Sequence, residues 1–109
     1  MEQIVALAKQ LAEAVKAHPR YQAFRQAQQK LESSPESKQL LEQLAEQSKR
    51  IRELEAALKP VEPQDKRRLI EIQERVMADP TIRALFQAEA DYAEIMVQIN
   101  NCMRDILGE

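Results

Sequence analysis

The sequence predicts an all-α protein of about five helices, and three observations lead to this prediction. The chain has one glycine, Gly108, which leaves almost no residue for the positive-φ turns of a meandering sheet. Ala, Leu, Gln, Glu, Lys and Arg dominate the composition, and all of them favour helix. Three Xaa-Pro steps stand directly before helical stretches. A chain of 109 residues fits one domain, which we expect to span residues 1–109.

The three Xaa-Pro steps mark predicted helix starts. Proline loses nothing at the first helical position, because the N–H it lacks would be unpaired there. The residue before proline is pushed out of the α region, which suits an N-cap. The three predicted caps are therefore His18, Ser34 and Asp79. Ser33 with Glu36 is an alternative capping box at the second step. No catalytic partner for His18 is evident, so we interpret it as a cap.

Five helices follow in order from these starts and from the spacing of apolar residues. Helix one is predicted over residues 2–17 and helix two over 19–32, although the two are also consistent with one helix bent at Pro19. Helix three is predicted over 35–58 and ends before "KPVEPQ", whose two prolines indicate a loop. Helix four covers 63–77 and helix five 80–107. We expect a long helical hairpin or bundle as the core.

Two helices carry apolar stripes with heptad spacing, which is typical of coiled-coil packing. The stripe of helix five is the longer, and we predict that it is a self-association surface. Its members are Ile82, Leu85, Glu89, Tyr92, Met96, Ile99, Met103 and Ile106, widened by Ile95 and Cys102. The stripe of helix three consists of Leu40, Leu44, Gln47, Ile51, Leu54 and Leu58.

The length of helix five predicts an oligomer. Its 28 residues extend roughly 42 Å, whereas a compact chain of this size is about 35 Å across. The helix is therefore expected to overhang a compact globule with an apolar stripe exposed on it. We predict a homodimer or a higher even oligomer, with twofold symmetry.

Two side chains on helix five admit alternative interpretations. Cys102 is expected to be a small buried apolar residue, or else a ligand shared across a dimer. Two thiolates fall short of the usual four ligands of a zinc or iron–sulfur site, so we expect no cofactor. Glu89, the only charge on the stripe, is expected to pair with an arginine such as Arg83 or Arg104 of a neighbouring helix, to lie at a solvated edge, or to have a direct functional role.

Composition argues against several classes of function. The net charge of −2 with interleaved signs disfavours nucleic acid and anionic membrane as partners, and the basic clusters "SKRIR" and "DKRR" are short and lie among glutamates. No apolar run could span a bilayer, and the N-terminus lacks the basic region of a signal peptide, so we expect a cytoplasmic protein. With neither a paired acid–base constellation nor a glycine-rich phosphate loop, we expect no enzyme.

Two long segments of the chain carry a family resemblance: "LAEAVKAHPRYQAFRQAQQKLESSPESKQLLEQL" and "VMADPTIRALFQAEADYAEIMVQINNCMRDI". Their order and spacing of helices, Xaa-Pro joints and the late apolar stripe resemble the YlbF/YmcA-like proteins. The resemblance implies a small, all-α, dimeric, cytoplasmic bacterial protein without known enzyme activity. It also implies regulatory complexes with paralogues, a link to messenger-RNA processing through RNase Y, and an iron–sulfur cluster attributed to such a complex. Cys102 alone cannot hold such a cluster.

The predicted function is accordingly that of a non-enzymatic regulator. We expect a helical homodimer that acts through protein–protein contacts in a bacterial regulatory complex, with paralogues or RNase-associated proteins as partners. The resemblance implies control of competence, sporulation, biofilm formation or messenger-RNA processing. The alternative is a coiled-coil, chaperone-like or structural protein that shields apolar segments of its clients.

Overall fold

The computed structural model describes residues 1–109 and contains five α-helices and no strand. The helices are α1 (Glu2–Lys16), α2 (Pro19–Glu32), α3 (Pro35–Ala56), α4 (Pro63–Ala78) and α5 (Pro80–Leu107). The all-helical prediction is confirmed, and every helix begins at its predicted residue. The first two helices are separate, because α1 ends at Lys16 and α2 begins at Pro19.

The end of α3 corrects the sequence prediction, because α3 stops at Ala56 and Leu58 is not part of it. Leu58 has a φ of 56°, in the left-handed region. Its N–H donates to the carbonyl of Glu55 over 3.1 Å, and the N–H of Lys59 donates to that of Leu54 over 2.9 Å. These two bonds form a Schellman motif, which ends a helix by turning the chain away. Leu58 therefore cannot continue the apolar stripe of α3.

Contacts divide the chain into two compact units. Unit 1 comprises residues 1–29 and 85–109, and unit 2 comprises residues 30–84. Unit 1 thus contains α1, most of α2 and most of α5. Unit 2 contains α3, α4 and the first turn of α5. The single domain over residues 1–109 stays a prediction.

Unit 2 has a hydrophobic core. Ile72 and Val76 of α4 lie one turn apart on one helix face and are buried together with Ile82. Four partly buried leucines pack against them: Leu31, Leu40, Leu41 and Leu44. The first part of the predicted α3 stripe therefore packs inside its own chain.

Two side chains of α3 fix the hairpin that α3 forms with α4. The buried Gln47 donates from Nε2 to the backbone carbonyl of Asp65 over 3.0 Å. Arg50 donates from Nε to the Asp65 carboxylate over 3.1 Å. Gln47, which the sequence places as the polar member of an apolar stripe, thus satisfies its amide within unit 2 instead of lying on a free edge.

The three predicted caps behave differently. Asp79 Oδ1 accepts the N–H of Ile82 over 3.0 Å, and His18 Nδ1 accepts the N–H of Arg20 over 3.1 Å. Ser34 occupies the N-cap position of α3 but makes no side-chain cap bond. Its hydroxyl instead donates to the carbonyl of Lys30 over 3.0 Å, because the last carbonyls of α2 lack helical partners. Ser34 therefore occupies its predicted cap position without a side-chain cap bond.

Candidate interaction surface

Exposed apolar side chains are concentrated in unit 1. Fourteen large apolar residues of the chain are exposed, and eleven of them belong to this unit. Five lie within residues 1–11: Met1, Ile4, Val5, Leu7 and Leu11. Six lie within residues 86–107: Phe86, Met96, Val97, Met103, Ile106 and Leu107. We call these eleven residues the unit 1 apolar surface. Apart from Leu85, no buried residue lies in this unit.

The predicted stripe of α5 is divided by the structure into a covered part and an exposed part. Ile82 and Leu85 are buried, and Tyr92 and Ile99 are half-buried. Exposure rises along the rest of the stripe, from 40% at Met96 to 53% at Met103 and 80% at Ile106. Glu89 is exposed as well. The stripe is therefore not one free edge, because half of its members face the chain itself.

Aromatic packing and an arginine hold α2 against α5 within unit 1. The ring of Tyr92 stacks on that of Phe24 with centroids 5.3 Å apart and an interplanar angle of 6°. The Tyr21 ring meets Tyr92 edge-on at 5.5 Å. Arg20 donates from Nη1 to the carbonyl of Asp91 and to the carboxylate of Glu94, over 3.4 and 3.3 Å. These contacts orient α5 and leave its opposite side free.

A groove runs between α1 and α5 in unit 1. Its volume is about 460 Å3, and most of its lining is apolar. Small residues of α1, Ala8 and Ala12, face Tyr92, Met96 and Ile99 of α5 across it. Short side chains leave the space between the two helices open. The groove and the unit 1 apolar surface together suit the binding of an apolar helix face.

Sequence reasoning missed part of this surface. Phe86, Val97 and Leu107 are exposed on α5 beside the predicted stripe, and the apolar residues of α1 are exposed as well. A signal was present: Phe86, Ala93, Asn100 and Leu107 recur every seven residues. This second row of residues is harder to detect from apolar spacing than the predicted stripe, because Ala93 is small and Asn100 is polar.

The structure corrects one expectation for the side chains of α5 and selects between the alternatives for another. Cys102 is exposed instead of buried, because no other helix covers the last turns of α5. Glu89 is exposed and takes part in none of the four ion pairs of the chain, which are Arg20–Glu94, Lys38–Glu32, Lys49–Glu53 and Arg50–Asp65. The solvated alternative for Glu89 therefore describes the single chain.

The structure shows neither a metal site nor a membrane-spanning helix, and the pKa of one carboxylate is shifted. No group of three or more His, Cys, Asp or Glu side chains is placed to hold a metal ion. Asp79 has a pKa below its usual value, because the Ser37 hydroxyl donates to its carboxylate over 2.7 Å and the Ile82 N–H donates to it as well. That carboxylate caps α5 and is held in unit 2. None of the five helices combines the length and apolar character needed to cross a membrane.

One protein family matches almost the whole chain. The family described as "Control of competence regulator ComK, YlbF/YmcA" matches residues 4–107. The chain belongs to this family. No curated protein and no solved structure matches the chain. The family description names regulation, and it does not describe an enzyme family.

Proposed function

We propose that this member of the YlbF/YmcA family is a non-enzymatic, cytoplasmic regulator that works through protein–protein contacts as a homodimer. The family description supports a role in the control of competence. The unit 1 apolar surface supports the mechanism, because it offers binding area to another protein and has no catalytic constellation within it. We accordingly propose that the protein binds other proteins and has no substrate.

The absence of a core in unit 1 is the observation that carries the proposal. Unit 2 buries Ile72, Val76 and Ile82 completely or nearly so, whereas unit 1 leaves eleven large apolar side chains exposed. At 25 cal/mol per Å2, fully burying one such side chain corresponds to roughly 60–120 Å2. The eleven side chains, about half exposed, therefore present on the order of 500 Å2 of apolar area per copy.

This apolar area is similar to the apolar area that each partner buries in an interface of standard size. Such an interface buries about 800 Å2 per partner, of which roughly 56–65% is apolar. A second copy of the chain carries the same surface at the same concentration, so an isologous dimer buries apolar area on both copies in one step. The dimer then presents the remaining helix faces to further subunits of a regulatory complex.

The proposal is tested with two matched variants of α5. Val97→Glu places a carboxylate on the exposed apolar side, and Gln98→Glu places one on the adjacent polar position. In light scattering at micromolar concentration, the wild type and Gln98→Glu are expected at twice the 12.6 kDa chain mass. Val97→Glu is expected as a monomer, because burying two carboxylates near each other is costly. A stable wild-type monomer contradicts the proposed dimer.

The regulatory part is tested in the host of the protein. Deleting the gene is expected to lower competence, measured as transformation frequency. Wild type and Gln98→Glu are expected to restore it, and Val97→Glu is not. Unchanged transformation after deletion overturns the proposed process, and full restoration by a monomeric Val97→Glu separates regulation from dimerisation.

A further inference from the structure

We propose that two copies pair through an antiparallel packing of α5, in which Glu89 of each copy lies beside Arg104 of the other. This inference rests on the proposed homodimer and adds its orientation and register. It follows from one exposed, largely apolar face of α5.

One largely apolar face of α5 consists of eight exposed residues. At 100° per residue they fall within an arc of about 100° on the helix, and all eight are exposed. They are Phe86, Glu89, Ala93, Met96, Val97, Asn100, Arg104 and Leu107. The neighbouring side of the helix carries the buried or half-buried residues Leu85, Ala88, Tyr92, Ile95 and Ile99. The eight residues are therefore accessible to a partner.

This face is complementary to itself when one copy is reversed. Every residue of the face has a counterpart at the same distance from the midpoint between Met96 and Val97. The resulting pairs between two copies are Phe86 with Leu107, Glu89 with Arg104, Ala93 with Asn100, and Met96 with Val97. Apolar residues thus meet apolar residues at the centre and at both ends. A twofold axis through the midpoint generates every pair twice, as an isologous interface requires.

Charge decides between the antiparallel and the parallel orientation. Glu89 and Arg104 are the only charged residues of the face, and neither forms an ion pair within the chain. Antiparallel pairing places each beside the opposite charge. Parallel pairing in register places Glu89 beside Glu89 and Arg104 beside Arg104, and like charges in an interface are strongly disfavoured. Glu89, unpaired in the single chain, gains its partner in the antiparallel dimer.

The charge pairing predicts a specific pattern of exchange between variants. Glu89→Arg and Arg104→Glu each create two like-charge pairs in a homodimer, and each is expected to weaken self-association at least tenfold. An equimolar mixture of the two variants restores opposite charges at both positions and is expected to form a heterodimer. The double variant Glu89→Arg/Arg104→Glu is expected to recover the homodimer. Asp105→Arg, on the polar side of α5, is the matched charge reversal and is expected to change nothing.

Sedimentation velocity on each variant and on the mixture measures these outcomes. Recovery in both the mixture and the double variant supports the pairing. A wild-type dimer whose charge variants fail to recover overturns the register and leaves the homodimer intact. A wild-type monomer overturns the homodimer as well. A complex that forms only with another protein, or with α1 of a second copy in place of α5, also overturns the pairing.

Engineered cysteines read the orientation independently of charge. In a Cys102→Ser background, Ala93→Cys and Asn100→Cys are made separately and together. In the antiparallel pairing, position 93 lies opposite position 100, and two copies of position 93 are about 10 Å apart along the axis. A disulfide bridges Cα atoms no more than about 7 Å apart. Oxidation is therefore expected to cross-link the double variant and a mixture of the two single variants. Cross-linking of Ala93→Cys alone indicates a parallel pair and overturns the proposal.

Discussion

At the scale of single residues, Asp79 illustrates how one carboxylate joins two helix ends within unit 2. Its Oδ1 caps the first turn of α5 through Ile82, and its Oδ2 accepts the hydroxyl of the buried Ser37 in α3 over 2.7 Å. Both bonds stabilise the charged carboxylate. Its pKa therefore lies below the usual 3.8, with the Ser37 bond as the largest cause and partial burial acting in the opposite direction.

This geometry predicts a pH dependence of stability. Because the pKa of Asp79 is lower in the folded chain than in the unfolded chain, the carboxylate stabilises the fold above pH 4. The stabilisation is lost as the pH falls through the folded value, which lies below 3.8. Ser37→Ala removes the main cause of the shift. The gap in unfolding free energy between wild type and Ser37→Ala is expected to be constant near neutral pH and to narrow in acid.

Chemical denaturation between pH 2 and pH 7, at one fixed protein concentration, measures the gap. Ser34→Ala is the control, because the Ser34 hydroxyl donates to the carbonyl of Lys30 and contacts no carboxylate. Its cost is expected to stay independent of pH over the same range. A gap for Ser37→Ala that persists unchanged at pH 2 contradicts the assigned cause of the pKa shift.

At the scale of the helices, the end of α3 places a leucine where the backbone favours glycine. Leu58 is the C′ residue of a Schellman motif, its φ is 56°, and its side chain is 93% exposed. A left-handed conformation costs a residue with a Cβ roughly 1–2 kcal/mol, and glycine avoids that cost. The exposed side chain offers no packing in unit 2 that offsets it.

Leu58→Gly is therefore expected to stabilise the protein. Part of the relieved strain is offset by the larger freedom of glycine in the unfolded chain, so the net gain is about 0.5–1 kcal/mol. Leu58→Ala removes the side chain but keeps the Cβ, and it is expected to leave the free energy of unfolding nearly unchanged. Urea denaturation of the three proteins measures the difference. A glycine variant less stable than the alanine variant would show that the leucine side chain contributes contacts that offset its strain.

The sequence predicts where the helices begin better than where they end. The starts of the helices follow from local chemistry, because Pro19, Pro35 and Pro80 fit the first turn of a helix and are disfavoured in its interior. The end of α3 does not follow from it. A leucine continues the apolar spacing, and only the observed backbone bonds at Glu55 and Lys59 reveal that the helix has already stopped.

The spacing of apolar residues also does not determine which helix packs against each helix face. The spacing along α5 correctly predicts a helix, but the same pattern covers Tyr92, which packs on Phe24, and Met103, which is exposed. A heptad pattern states that a face avoids water and does not state which helix covers it. The exposure of each residue in the folded chain separates the covered residues of α5 from the exposed ones. It shows that Phe86 and Val97 belong to the exposed face.

At the scale of the whole chain, the two units differ in how their apolar residues are buried. Unit 2 buries its own core around Ile82, and its hairpin is further tied by Gln47 and Asp65. Unit 1 has aromatic contacts around Tyr92 but leaves its apolar surface open. Local stability follows buried apolar contact, so the units are expected to open at different free energies. In the proposed dimer, unit 1 gains the burial that unit 2 already has.

Amide hydrogen exchange, read by mass spectrometry, distinguishes the two units. If the proposed dimer forms, the peptides of α1 and of α5 beyond Leu85 are expected to be protected in the wild type. Their protection is expected to fall on dilution, because association stabilises by mass action. In the monomeric Val97→Glu variant, these peptides are expected to exchange at least tenfold faster than in the wild type. Peptides of α3 and α4 are expected to exchange at similar rates in both proteins, because their core contains no residue of the proposed interface. Equal loss of protection in all five helices would mean that the chain unfolds as one cooperative unit. The core around Ile72 and Val76 would then be unstable without a second copy.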